Sequence, residues 1–372
     1  MMNSSAPLKI LFATPRFFPE TGGVESHVYQ VARRLAAQGH GVTVLTSDRS
    51  RALPAEETFE NFQIKRVPAW PRGSDFYFAP GIYREVLKGD WDILHVQSYH
   101  TFVPPIAMLA ALRAKKPFVL TFHGGGHSSK LRHSVRTFQR LLLRPLLSRA
   151  DKLIAVARFE IDEFSSELKL LREKFVLIPN GAELPQIKRP PANGSKKETL
   201  IASVGRLERY KGHQRVIAAL PYVIKQKPDA RLWIAGGGPY EAELKNLARQ
   251  LGVQNKVEIR AFAPEAREQF AEELSQASLF VLFSEYETHP IAALEAISLG
   301  CPALVSDTSG LREIAQDGLA KSLPLDCTDQ QLAEGIIAQL DHPVQLKSLK
   351  LPTWDDCANG LLALYQDILK AQ

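Results

Sequence analysis

The sequence predicts an α/β protein with two doubly wound, Rossmann-like domains in tandem, and three observations lead to this prediction. Short apolar runs alternate with amphipathic helical segments from the first strand onward. The alternation stops near residue 185 at LPQIKRPPANGSKKETL, which is rich in Pro, Lys and small polar residues, and then restarts. The length of 372 residues also exceeds what one ordinary hydrophobic core needs.

The first domain is predicted to open with a strand, a loop, a helix and a second strand. KILFAT is a continuous apolar run, which is typical of a buried parallel strand. VESHVYQVARRLAAQG has a helical apolar period and ends at Gly39, before the strand GVTVLTS. The alternation continues through DILHVQ, a helix near 103–114, PFVLTFHG and KLIAVA. This order favours a parallel sheet with right-handed crossovers.

The second domain repeats the alternation of strands and helices. Its strands are predicted in LIASVGRL, RLWIAGGGP, KVEIRAF, LFVLFS and PALVSD. The helices between them are expected near 212–226, 240–251 and 265–276, after Pro290 and from Leu311. We therefore predict domains over 1–185 and 186–352, followed by a helical segment over 353–372. Because ligands of open parallel sheets bind beyond the carboxyl ends of the strands, two facing sheets are expected to hold a ligand between them.

The composition is that of a soluble enzyme, and the charge is unevenly shared. Residues 1–180 carry 25 Lys and Arg against 16 Asp and Glu, whereas the rest carries 21 against 24. The basic first half is expected to meet an anionic partner, and no nucleic-acid motif accompanies the charge. No apolar run is long enough to span a bilayer, and the N-terminus lacks a signal-peptide core. We therefore expect a cytoplasmic protein.

Metal binding is not expected from the sequence. The three cysteines form no CxxC pair, and the ten histidines form no HExxH or similar cluster. Free thiols in a reducing compartment are the simplest interpretation. No cofactor is predicted beyond the substrate itself.

Candidate functional residues follow the predicted strands. In the first domain, Gly22 and Gly23 precede a helix, where glycines let backbone N–H groups approach an anion, although a plain tight turn explains them equally well. His123 follows FVLTF and is a candidate donor to a phosphate or a sugar hydroxyl, or simply a satisfied loop histidine. In the second domain, Arg206 and Lys211 follow a strand and would neutralise a diphosphate, unless they are ordinary surface charges.

Two glutamates stand eight residues apart in SEYETHPIAALEAISLG. Pro290 suits the first position of a helix, so Glu287 is expected in the loop above the strand and Glu295 in the second helical turn. Ionised carboxylates accept paired hydrogen bonds from adjacent hydroxyls, such as those of a ribose or a sugar. The alternative is a helix-start acid favoured by the dipole and an ordinary helical glutamate.

Taken together, these residues resemble the retaining GT-B glycosyltransferases, in particular glycosyltransferase family 4. The resemblance covers almost the whole chain and rests on TGGVESHV, VGRLERYKG, IPNG, IAGGGP, the E-x7-E motif running into LEAISLGCPALVSDTSGLREI, and the closing WDDCANGLLALYQDIL. It implies a GT-B fold with two domains facing across a cleft, and a nucleotide-sugar donor bound mostly by the second domain. The closing helix would pack back toward the first domain.

The resemblance also implies roles for individual residues. Arg206 and Lys211 would contact the donor diphosphate, Glu295 the ribose, Glu287 the donor sugar, and His123 the transferred sugar. It implies catalytic roles for Glu287, His123, Arg206 and Lys211, and an acceptor side that includes Glu25 and His27. The implied donor-binding set comprises Gly22, Gly23, Arg206, Lys211, Gly237, Thr288, His289, Pro290, Ile291 and Glu295.

The chain departs from the family pattern after the first glutamate. The family usually has a glycine-rich segment there, whereas this chain has Thr288, His289 and Pro290. A proline has no backbone N–H to donate to a ligand. The resemblance implies transfer of a hexose-type sugar from a UDP- or GDP-sugar with retention of configuration, the two basic residues acting in place of a metal. A nucleotide-sugar epimerase of similar shape and a non-catalytic binding protein are the alternatives.

A basic helix is predicted within 130–149. Lys130 and five arginines occur without an acidic residue, and Arg132, Arg136, Arg140 and Arg144 recur every four residues. Basic amphipathic helices bind anionic membranes, so a peripheral membrane location and a lipid-linked or polysaccharide acceptor are expected from this pattern. A helix packed on the sheet with a solvated basic face is the alternative.

Overall fold

In the computed structural model, the chain folds into two compact units. The first comprises residues 1–124, 130–181 and 352–372, and the second residues 125–129 and 182–351. The predicted boundary at residue 185 lies outside the described residues. The structure describes residues 6–20, 22–72, 78–124, 139, 141–182, 199–263, 266–345 and 351–372.

The first unit is built on an eight-stranded sheet in the order β3-β4-β2-β1-β5-β6-β7-β8. The strands pair in parallel, except that β3 runs antiparallel to β4. The strand β6 is buried along its whole length, which explains why the central strands read as continuous apolar runs. The strands are β1 Lys9–Ala13, β2 Gly41–Asp48, β3 Glu56–Phe59, β4 Phe62–Pro68, β5 Ile93–Gln97, β6 Phe118–Thr121, β7 Lys152–Ala155 and β8 Phe175–Leu177.

The helices of the first unit connect these strands as the alternation predicts. The predicted helix near 103–114 forms at those residues. Most of the predicted basic helix, over 130–138 and at residue 140, lies outside the described residues. The helices are α1 Gly23–Ala37, α2 Gly81–Lys88, α3 Val103–Ala114, α4 as described over 141–147, and α5 Arg158–Leu168.

The second unit contains a six-stranded parallel sheet in the order β11-β10-β9-β12-β13-β14. Its strands are β9 Leu200–Val204, β10 Arg231–Ala235, β11 Val257–Arg260, β12 Leu279–Leu282, β13 Ala303–Ser306 and β14 Lys321–Leu323. Its helices are α6 His213–Gln226, α7 Glu241–Gln250, α8 Arg267–Ser275, α9 Ile291–Ser298, α10 Ser309–Gln316 and α11 Asp329–Asp341. The prediction of two doubly wound α/β domains is confirmed.

The last helix, α12 Trp354–Lys370, belongs to the first unit. A capping box starts it, because Thr353 Oγ1 accepts a hydrogen bond from Asp356 N at 3.1 Å and Thr353 N donates to Asp356 Oδ2 at 3.0 Å. The helix lies against α1, where Arg34 Nε donates to Asp355 Oδ1 at 2.6 Å. Its buried face adds Tyr365 to the core of the first unit.

None of the helices that the structure describes is both long enough and apolar enough to cross a bilayer.

Candidate active site

In the first unit, side chains from two neighbouring strand ends meet at His123. His123 follows β6, and its Nε2 lies 2.7 Å from Oε1 of Gln97, the last residue of β5. The backbone of His123 has a φ of 45°, which is uncommon for a residue with a side chain. Gln97 was not predicted as a site residue, although it stands at a strand end, which is the criterion that selected His123.

His27 of α1 is fully buried beside His123. The two ring centroids are 4.6 Å apart, and Nδ1 of His27 lies 2.7 Å from Oδ1 of Asn180. Burial lowers the pKa of His27 to about 4, and the hydrogen bond to Asn180 opposes this only in part. The ring is therefore neutral at pH 7. Its Nε2 is buried and has no hydrogen-bond partner among the residues that the structure describes.

A second buried histidine, His95 in β5, links α12 to His27 and the partly buried His123. Its Nδ1 lies 2.6 Å from the hydroxyl of Tyr365, and its Nε2 lies 2.7 Å from Oγ1 of Thr121 in β6. Burial, with a smaller contribution from His27, holds the pKa of His95 well below its usual value. Burial also holds the pKa of His123 well below its usual value, with smaller contributions from His27, His95 and His100. The first-unit cluster, defined as His27, His95 and His123, is thus a set of neutral hydrogen-bonding rings.

The predicted glycine loop leads directly into α1. Gly23 is its first residue, and Gly22 has an extended backbone before it. Glu25 in the first turn is buried and lies 3.5 Å from Nε of Arg16. The helix start therefore already has one carboxylate in its first turn, in the position that the helix dipole favours.

In the second unit, the two predicted residues Lys211 and Glu287 are in direct contact. Nζ of Lys211 donates to Oε1 of Glu287 at 2.6 Å, and Oγ of Ser284 donates to the same oxygen at 2.8 Å. Both side chains are mostly buried, with 16% of Lys211 and 11% of Glu287 exposed. They come from loops that follow β9 and β12, which are adjacent strands of the sheet. Sequence spacing did not predict this contact.

The lysine of this pair is charged. Burial alone would lower the pKa of Lys211, but the negative charge of Glu287, and its hydrogen bond, outweigh the burial, so the pKa is raised above its usual value. A cation held in a largely buried position exerts a stronger field than one in water. The loop can therefore present a fixed positive charge to a ligand.

Close backbone packing fixes the loop that carries Lys211. Gly212 has a φ of 76°, and a Cβ at this position would lie 1.9 Å from the carbonyl oxygen of Phe283. Only glycine fits there, so the end of the loop lies directly against the chain leaving β12. Arg206, nearer to β9, has 67% of its side chain exposed and pairs with Glu208 at 2.9 Å. Arg206 is thus accessible, whereas Lys211 is enclosed.

Glu295 lies in the second turn of α9, as predicted, and is paired with an arginine that was not predicted. NH2 of Arg267 donates to Oε1 of Glu295 at 2.6 Å, and only 8% of the Glu295 side chain is exposed. Burial raises the pKa of Glu295, and the charge of Arg267 opposes this only in part. Arg267 is the first residue of α8, which follows β11. The sequence analysis placed this residue inside the predicted helix near 265–276, so the strand-end criterion did not select it.

The loop between the two glutamates ends one residue later than predicted. Pro290 is the residue before α9, with a ψ of 70° that is not helical, so the helix begins at Ile291 rather than at the proline. The start of α10 holds the main chain of Glu287, because the N–H of Glu287 donates to Oγ of Ser309 at 2.9 Å. The Oγ1 of Thr288 is buried and has no hydrogen-bond partner within the described part of the chain.

The remaining predicted residues of this loop region are His289 and Gly237. His289 is partly buried, and its carbonyl oxygen accepts a hydrogen bond from the N–H of Ile291 at 2.8 Å. Gly237 follows β10 and is exposed, and its carbonyl oxygen accepts from the N–H of Leu207 at 3.0 Å. The loops after β9 and β10 are therefore joined at the same edge of the sheet.

Sequence profiles of two families match adjoining parts of the chain. The profile of glycosyltransferase family 4 matches residues 21–185, and that of glycosyl transferases group 1 matches residues 186–350. Two doubly wound sheets, with basic and acidic side chains at the strand ends of the second, define the class of GT-B glycosyltransferases. Within this class, the chain belongs to glycosyltransferase family 4, as the sequence motifs predicted.

Individual relatives agree with this assignment. The chain is 26% identical to a phosphatidyl-myo-inositol mannosyltransferase of Mycobacterium tuberculosis, with 97% of each chain covered. It is 29% identical to a GDP-mannose:cellobiosyl-diphosphopolyprenol alpha-mannosyltransferase of Xanthomonas oryzae, covering 83% of this chain and 81% of the relative. Among solved structures, a sucrose-phosphate synthase from Thermosynechococcus elongatus superimposes with a TM-score of 0.77 at 20% identity, covering 98% of this chain and 100% of that one. The enzyme class, a hexosyltransferase, was predicted correctly.

Proposed function

We propose that the protein transfers a hexose from a UDP- or GDP-sugar to an acceptor hydroxyl with retention of anomeric configuration. The observation that carries this proposal is the enclosed ion pair of Lys211 and Glu287 at the strand ends of the second unit. Lys211 supplies a fixed cation for the donor diphosphate, and Glu287 supplies a carboxylate for the hydroxyls of the donor sugar.

The chemistry follows from where charge develops. Cleavage of the bond between the anomeric carbon and the phosphate oxygen leaves the electron pair on the nucleoside diphosphate and positive charge on the sugar ring. Lys211 and the exposed Arg206 stabilise the departing diphosphate. The acceptor oxygen then bonds to the anomeric carbon, and its proton passes to the departing phosphate oxygen. The two side chains supply the positive charge that a divalent ion supplies in other transferases, so we propose transfer without a metal.

Glu295 is proposed to hold the ribose diol of the donor. Its carboxylate is buried on the helix after the sugar-contacting loop, and it now accepts a hydrogen bond from Arg267. A diol offers two O–H donors to one carboxylate, which suits this side chain. Arg267 must then share Glu295 with the donor or move away from it.

The first unit is proposed to bind the acceptor side and the transferred sugar. The first-unit cluster is neutral, and Nε2 of His27 is buried without a partner among the described residues. Neutral rings and the nearby Glu25 are suited to sugar hydroxyls rather than to phosphates. The names of two relatives include phosphatidyl-inositol and diphosphopolyprenol acceptors, which supports a lipid-linked acceptor.

A peripheral location on the cytoplasmic membrane face is proposed on the basis of two helices of the first unit. The helix α3 contains no acidic residue and has Arg113 in its last turn; Leu109 on it is 49% exposed, and Phe102, directly before it, is 56% exposed. On α4, Leu141 and Leu142 are 51% and 69% exposed. Exposed apolar side chains with nearby arginines suit an anionic membrane surface.

Sedimentation with liposomes tests the membrane proposal. The protein should sediment with vesicles containing phosphatidylglycerol at low salt and much less with pure phosphatidylcholine vesicles. Equal recovery with both would remove the membrane proposal and leave the proposed transfer reaction unaffected.

A panel of nucleotide sugars, scored first by thermal shift and then by transfer, tests the function. The donor should raise the melting temperature and be consumed only when an acceptor is present. Conversion of the donor without acceptor would indicate epimerisation, and binding without consumption would indicate a non-catalytic protein. Family membership favours neither alternative.

A further inference from the structure

One buried carboxylate of the first unit is not used by the proposed reaction. Glu160, in the first turn of α5, has no exposed surface. Its Oε2 accepts a hydrogen bond from Val156 N at 2.9 Å, and its Oε1 accepts one from Gly124 N at 3.2 Å. Both of these hydrogen-bond partners are backbone N–H groups, and one of them belongs to the residue directly after His123.

The segment at His123 needs such support. A φ of 45° is unfavourable for a histidine, and conformations of this kind persist only where the surroundings fix them. Gln97 holds the ring of His123 at Nε2, and Glu160 holds the peptide N–H that follows it. The ring and the backbone of His123 are thus fixed from two different elements, β5 and α5.

We propose that Glu160 is a positioning residue that, by accepting the Gly124 N–H, fixes the turn in which His123 presents its ring to the substrate. This inference rests on the proposed function, in which His123 contacts the transferred sugar. Glu160 itself does not reach the substrate in this account.

Burying the carboxyl group of Glu160 costs free energy, which favours a functional reason for its presence. Burial raises the pKa of Glu160 to about 8, and the backbone hydrogen bonds oppose that shift only in part. Among the described residues, the titratable groups around it are Glu163 on its own helix, which raises the pKa further, and His123 in the turn, which is neutral. No cationic partner of Glu160 lies in the described part of the chain; burying such an acid destabilises the fold, and groups of this kind cluster at functional sites.

Helix capping is the competing explanation. Glu160 is the third residue of α5, where a glutamate commonly binds the backbone at the helix start. Capping accounts for the hydrogen bond with Val156 but not for the one with Gly124, which comes from another element. The two explanations differ in whether the effect of Glu160 on activity depends on His123.

A double-mutant cycle separates them, using the full chain with its identified donor and acceptor. Glu160→Ala should lower kcat by about tenfold or more, as misplaced catalytic groups do. In a His123→Ala background the same change should add little, because the residue through which Glu160 acts is gone. Asp162→Asn, on the exposed face of the same helix, is the matched control and should leave kcat unchanged.

Three outcomes are distinguishable in this cycle. The positioning role would be overturned if the losses of kcat in the two single variants multiplied in the double variant, or if Glu160→Ala kept full activity. Full activity in His123→Ala would instead remove His123 from the proposed function. Loss in His123→Ala with no further loss in the double variant would support the inference.

A spectroscopic measurement covers the case in which Glu160→Ala does not fold. In the isotope-labelled wild-type chain, the amide resonance of Gly124 should shift with pH around 8, as the carboxylate that it contacts titrates. Glu160→Gln should abolish that shift but retain most of kcat, because its amide oxygen can still accept the N–H of Gly124. A Gly124 resonance that is equally insensitive to pH in both proteins would overturn the proposal.

Discussion

The candidate residues of the two units differ in the way they carry charge. The first unit gathers buried and partly buried histidines whose pKa values are lowered, so that these hydrogen-bonding groups are neutral. The second unit gathers enclosed ion pairs, Lys211 with Glu287 and Arg267 with Glu295. Groups that bind sugar hydroxyls do so through hydrogen bonds of defined direction and need no net charge. A departing diphosphate, in contrast, is stabilised by a fixed cation. The contrast agrees with the proposed function, in which the first unit contacts hydroxyl groups and the second unit contacts the diphosphate.

The largest effect is expected from removing the fixed cation. Lys211→Ala should lower kcat by roughly 100- to 1,000-fold, the range found when one preorganised electrostatic group is lost. Steady-state kinetics at saturating donor measures this, with Lys245→Ala on the exposed face of α7 as the control. If His123→Ala cost more than Lys211→Ala, the division between a neutral and a charged half would be wrong.

Acid should destabilise the first unit through its neutral histidines. The pKa of His27 is about 4 in the folded protein against 6.5 unfolded, so the unfolded chain binds protons first as the pH falls below 6.5. Stability is therefore lost between pH 6.5 and 4, by at most about 3 kcal/mol from this residue. Urea unfolding should show a shallower loss on acidification for His27→Gln than for the wild type.

Other groups with shifted pKa values also bear on that measurement; His95 and His123, present in both proteins compared, add a slope of the same sign as His27. His213 in the second unit also has a pKa of about 4, because of burial and then of Lys211, and so adds a slope of the same sign. Glu160, with its raised pKa, contributes the opposite slope, since the folded state retains its proton longer as the pH rises. Both residues are present in wild type and in His27→Gln, so their contributions cancel in the comparison. Identical slopes in the two proteins would contradict the account of His27.

The smallest effect is expected at the second ion pair. Arg267→Ala frees the carboxylate of Glu295 for the donor but leaves it buried without its partner. We expect a change in donor KM of only a few-fold, because half of the Arg267 side chain is exposed and such pairs contribute about 1 kcal/mol or less. Donor titration measures it, with Arg312→Ala as an exposed control. A loss as large as that of Lys211→Ala would make Arg267 part of the reaction itself.

The fold could be predicted from the sequence because buried parallel strands leave a simple signal. Apolar runs such as KILFAT and LFVLF fall on β1 and β12, since strands covered on both faces need apolar side chains throughout. The antiparallel β3 was not predicted, because its half-exposed residues Glu56–Phe59 are not continuously apolar. The predicted basic helix over 130–138 stays a prediction.

The site was predictable in position but not in its pairings. Lys211 and Glu287 were selected because each follows a strand, a property of local sequence. Their contact joins residues far apart in the chain, and spacing does not encode which strand ends are neighbours. Arg267 was missed for the same reason, since its significance comes from contact with Glu295. Tyr365 was missed because the chain passes through the whole second unit before returning to the first.

The helix α12 lies at the end of the chain but belongs to the first unit, so the first unit is completed late in synthesis. The helix α12 supplies Tyr365 to His95, and Trp354 lies 5.9 Å, between ring centroids, from His27. The ribosome makes these residues only after the second unit has been translated. A nascent chain that has folded its first sheet therefore still lacks the anchors of its histidines, so the acceptor site proposed for the first unit can be completed only after the second unit has been made.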